Sequence, residues 1–99
     1  MAKLKTTRFD PAEYLKTDDA CAEFLQAAFE EGNPADIARA FGIVARARGM
    51  TKLAKETGLT REALYRMLSE DGNPTLDTLL KVAKAFGLHL TVSTAAEVA

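Results

Sequence analysis

The stretch Met50-Thr51-Lys52-Leu53-Ala54-Lys55-Glu56-Thr57-Gly58-Leu59-Thr60-Arg61-Glu62-Ala63-Leu64-Tyr65-Arg66-Met67-Leu68-Ser69 reads as two short helices joined by a tight turn. Ala54 is small where two steeply crossing helices come closest, and Gly58 can end the first helix in the left-handed conformation without a Cβ penalty. Leu59 is placed to drop into a core beneath the turn, Leu53 to anchor the first helix, and Leu64 and Met67 the second. Thr60 can cap the second helix, with Ala63 as its third residue. This leaves Arg61, Glu62, Tyr65 and Arg66 facing outward.

These are the requirements of a helix-turn-helix, whose second helix presents its N-terminal residues to base edges in the major groove. Arg61 and Arg66 can each make a bidentate contact to guanine, and Glu62 can accept from cytosine. Thr51, Lys52 and Lys55, with the start of the second helix, suit the phosphate backbone. The competing reading is a helical hairpin that only packs.

Working outward, Asn33-Pro34 starts a helix that runs to Gly49, with Ile37, Phe41, Val44, Ala45 and Arg48 on one face. Before it, Asp10-Pro11 opens a short turn through Tyr14 and Leu15. Thr17 caps a helix with Cys21, Phe24, Leu25, Ala28 and Phe29 at core-facing spacing, ended by Gly32. Beyond the motif, Ser69–Pro74 is a turn, and Thr75 caps a last helix with an apolar stripe of Leu76, Leu79, Leu80, Ala83 and Phe86. After Gly87, residues 88–93 alternate like a short strand, which needs a partner to be stable. Residues 1–9 read as an N-terminal arm, and Thr94–Ala99 as a frayed end. The expectation is an all-α domain over residues 10–99, containing the helix-turn-helix at 50–69 and ending in a short strand.

A chain of 99 residues suits one core, and 47% hydrophobic with 27% charged residues is ordinary for a globular protein. Cys21 is the only cysteine, so no intramolecular disulfide can form, and it is expected to act as a small core hydrophobe. No secretory signal or apolar run of roughly 20 residues is present, so a soluble, cytoplasmic protein with no membrane partner is expected. His89 lies on the polar side of the alternation, with no second metal ligand or catalytic partner nearby in sequence. No Gly-rich phosphate loop accompanies the carboxylates of residues 10–32. The expectation is no enzyme activity, no cofactor and no metal.

The net charge of −1 hides a segregation: residues 1–9 carry +3, residues 10–32 carry −6 and residues 46–68 carry +4. Such a split fits one anionic and one cationic partner, although two solvated helix faces would produce it as well.

The run Gly49-Met50-Thr51 through Gly58-Leu59-Thr60-Arg61-Glu62-Ala63-Leu64-Tyr65 and Leu68-Ser69-Glu70-Asp71-Gly72-Asn73-Pro74-Thr75-Leu76 resembles the addiction-module antidote proteins. These are HigA-like antitoxins with a lambda-repressor-like (Cro-type, Xre) five-helix DNA-binding domain. Thr7-Arg8-Phe9-Asp10-Pro11-Ala12-Glu13-Tyr14-Leu15 is similar to the opening of that family, so the likeness spans nearly the whole chain. The resemblance implies an antitoxin of a type II toxin–antitoxin module. It would bind operator DNA as a homodimer, repress its own operon and neutralise a small, basic, RelE/HigB-like toxin that cleaves mRNA. By position, Arg61, Glu62 and Arg66 would read bases and Thr51 and Lys52 would sit near phosphate. A stand-alone, phage-type Xre repressor without a toxin is the alternative.

Overall fold

Among the described residues, four helices begin on a short polar side chain that satisfies their own first-turn amides. The computed structural model describes residues 11–95. Its helical elements are α1 (Pro11–Tyr14), α2 (Asp18–Glu31), α3 (Pro34–Arg48), α4 (Met50–Thr57), α5 (Arg61–Met67) and α6 (Leu76–Ala85). Thr17 accepts from the Ala20 amide, Asn33 from Ala35 and Asp36, Thr60 from Ala63, and Thr75 from Thr78. The stops are equally local, with Gly32 and Gly58 in the left-handed conformation. The proposed arm at residues 1–9 and the end of the frayed tail lie outside the described residues.

Helix α3 is the hub, packing against α1, α2, α4 and α5, while α6 packs on α4. Its small residues allow this: Ala38, Ala40, Gly42 and Ala45 are buried beside Phe41 and Val44. Gly42 matters most, because a Cβ there would be driven into the carbonyl oxygen of Leu68, just beyond α5. Leu15, Cys21, Leu25, Leu53, Leu64, Leu68, Val82 and Phe86 complete the core.

Cys21 is wholly buried, as expected of a core hydrophobe. Arg48 reaches from α3 to its sulfur at 3.1 Å and to Asp18 Oδ1 at 2.9 Å. The hydrogen bond to Cys21, then that to Asp18, push the Arg48 pKa upward, so this tie between α3 and the start of α2 stays charged. Phe29 lies at the margin of its stripe, half-exposed, with its edge on Phe41 at 6.1 Å between centroids.

Two expectations fail. The alternation at 88–93 is not a strand: among the described residues no strand forms. The chain reverses at Gly87 (φ 84°), Leu88 N donates to Ala83 O at 2.9 Å, and Leu88 and Leu90 rest against the core. The alternation encodes two hydrophobic anchors on an extended tail, because no neighbouring strand is present to supply a ladder.

The apolar stripe of α6 holds at Leu79, Ala83 and Phe86 and fails at Leu76 and Leu80. Thr78, Val82, Ala83 and Phe86 are buried, whereas Leu76 is 67% and Leu80 47% exposed. Thr78 tolerates burial because its hydroxyl is bonded to Thr75 Oγ1 (3.1 Å) and Met67 Sδ (3.8 Å).

Candidate functional site

The turn between α4 and α5 needs three residues to fit a tight geometry. Gly58 adopts φ 77° and its amide donates to Ala54 O at 2.9 Å. Leu59 tucks partly under the turn against the core, its amide held by Thr57 Oγ1 at 3.3 Å. Thr60 is extended and its hydroxyl accepts from Ala63 N at 3.0 Å, so α5 starts abruptly at Arg61.

With Leu64 and Leu68 fully buried and Met67 half-buried, the opposite side of α5 faces solvent. Arg61, Glu62, Tyr65 and Arg66 are all exposed there. At 3.6 residues per turn they span an arc of roughly 140°, one continuous face. Neither Arg61 nor Arg66 is in an ion pair among the described residues, so no carboxylate competes for either guanidinium fork. Thr51, Lys52 and Lys55 are exposed on α4. Lys52 lines a shallow depression with Arg48, Glu56 and Phe86, which sets it toward the end of α6. The structure thus groups the four α5 residues together and leaves Lys52 at the margin.

One basic residue of this surface is Arg46, on α3, which the sequence reading left out. Its guanidinium lies 5.5 Å from the centre of the Tyr65 ring, and that of Arg61 lies 5.9 Å from the same ring. Tyr65 therefore spaces two cations by attraction to its π face. The available signal was the excess of arginine at the end of α3, but its meeting with Tyr65 is tertiary.

Among the described residues no group of three His, Cys, Asp or Glu could hold a metal ion. No helix there is long and apolar enough to cross a membrane.

Residues 5–94 match the family described as "probable addiction module antidote protein". The chain belongs to that family. It is also 42% identical over 84 residues to an uncharacterized protein of Haemophilus influenzae, covering 85% of this chain and 87% of the other. No solved structure matches. The antidote-family match takes in the acidic α2 and the exposed basic face of α5 together.

Proposed function

We propose that this chain is the antitoxin of a type II toxin–antitoxin module and that α4, its turn and α5 form a helix-turn-helix of the lambda-repressor-like kind. The observation that carries the DNA half is the outer face of α5, where Arg61 and Arg66 stand exposed and unpaired beside Glu62 and Tyr65. Inserted in the major groove, the two arginines would read guanines and Glu62 a cytosine, with Tyr65 orienting Arg61. Thr51, Lys52, Lys55 and Arg46, with the capped start of α5 at Thr60, would lie along phosphates. The chain would repress its own operon in the cytoplasm and neutralise a RelE/HigB-like ribonuclease by complex formation.

The test is a fluorescence-anisotropy titration of the full chain with duplex DNA from upstream of its own gene. Phosphate contacts make log K fall linearly with log salt, by roughly 0.9 per contact. A flat salt response, or equal affinity for unrelated duplexes, would reject the reading.

A homodimer follows from reading two half-sites, and α6 supports it by exposing Leu76 and Leu80 one turn apart. The double variant Leu76→Asp/Leu80→Asp should sediment as a monomer. Its affinity for the full site should drop by about 100-fold, since linked half-sites gain this much from avidity. A variant that keeps its dimer mass would move the interface off α6.

A further inference from the structure

We infer that the groove between α2 and the extended tail after Gly87 is where the toxin docks, a basic segment of it lying along the tail. This rests on the antitoxin reading and adds the site and its chemistry. The groove has a volume of about 510 Å³ and is lined by Ala22, Gln26, Phe29 and Glu30 of α2 and by Leu90 and Val92 of the tail, among others. Its apolar groups are open to solvent: Phe29 is 41% and Val92 97% exposed. Among the described residues, no main-chain hydrogen bond ties down residues 89–93, so the tail offers free amide and carbonyl groups to an extended partner.

Charge decides between occupants. Helix α2 bears Asp18, Asp19, Glu23, Glu30 and Glu31 and no basic residue. Asp18 is taken by Arg48, and Glu30 accepts only a weak bond from Gln26 at 3.4 Å. Gln26 and Glu30 line the groove, and helical spacing sets Asp19 and Glu23 on the same ridge, running on from it toward the start of α2. His89 is the other titratable group lining it. A second copy seated here by the same face, about a two-fold axis, would bring carboxylates against carboxylates, whereas a cationic segment is attracted and steered. The elements forming the groove differ from the α4–α5 surface, so toxin and DNA can be held together.

The experiment measures binding of the full chain to the purified product of the gene adjacent to its own, by calorimetry. The variant Glu30→Lys/Val92→Arg alters two exposed positions and should lose about 100-fold in affinity for that protein. Its DNA affinity and dimer mass should stay unchanged. Should the double variant fail to fold, Val92→Arg alone should lose about 10-fold. Unchanged affinity of the variants overturns the groove and leaves the antitoxin reading standing. Failure of the unaltered chain to bind removes the reading and the groove with it. A variant that turns monomeric but binds normally assigns the groove to a second copy and overturns the inference.

Discussion

Replacing Arg61 and Arg66 together by alanine is expected to weaken operator binding by at least about 100-fold and to flatten discrimination between sequences. Each bidentate contact to guanine is worth about 1–3 kcal/mol against a wrong base, and the two residues stand at the two ends of one exposed face. Neither arginine pairs with an acid among the described residues, so their removal leaves no orphaned carboxylate behind. Stability should change little, because both positions are exposed and the capping Thr60 is kept, with loss of the exposed Arg61–Tyr65 contact costing about 0.5–1 kcal/mol. Anisotropy titration at fixed salt, beside a thermal melt, separates the two effects. The Thr51→Ala/Lys55→Ala variant should weaken binding to every sequence alike and reduce the salt slope, as phosphate contacts do. If Arg61→Ala/Arg66→Ala retained full affinity, α5 would be a packing helix and the DNA reading would fail.

Gly42→Ala should lower stability by about 2–3 kcal/mol, and Gly42→Val by more. Placed mid-helix and away from solvent, glycine normally gives way to alanine with a gain of about 1 kcal/mol from helix propensity. Here the added Cβ would strike the carbonyl oxygen of Leu68, and backbone cannot swing aside as a flexible side chain can. Relief requires α3 and the end of α5 to separate, which loosens the fully buried Leu64 and Leu68. For a chain of this size the cost is a fall in Tm of about 10 °C or more. The shift also tilts α5, so DNA affinity should drop further than the loss of folded protein explains. Urea denaturation followed by circular dichroism checks the stability change. A neutral or stabilising Gly42→Ala would mean that α3 and α5 stand further apart.

Much of the chain was legible because its rules act over three or four residues. Thr17, Asn33, Thr60 and Thr75 each cap the helix that follows, and Gly32 and Gly58 end theirs, through hydrogen bonds to near neighbours. The outward set Arg61, Glu62, Tyr65 and Arg66 followed from the same periodicity that buries Leu64 and Leu68. The burial of Cys21 and the division of charge between α2 and residues 46–68 could also be read directly.

Where two local answers compete, only packing chooses. Along α6 hydropathy marks Leu76, Leu79, Leu80, Ala83 and Phe86 as the inner face, and Leu79, Ala83 and Phe86 do pack on the core. The structure fills the rest of that face with Val82 and with Thr78, satisfied by Thr75 and Met67, and leaves Leu76 and Leu80 outside. Residues 88–93 alternate as a strand does, yet a strand is defined by its partner, and here α2 and the core receive Leu88 and Leu90 instead. Gly42 beside Leu68 and Arg46 over Tyr65 join positions far apart in the chain, which no local pattern encodes.

The sequence by itself determined where helices begin and end, and which residues the α4–α5 unit turns outward, because capping and helical phase are short-range. The tertiary structure decided which face of α6 is spare, what the tail rests on, and that Arg46 joins the basic surface. Those outcomes depend on distances between elements, and such distances are set by how the whole core closes.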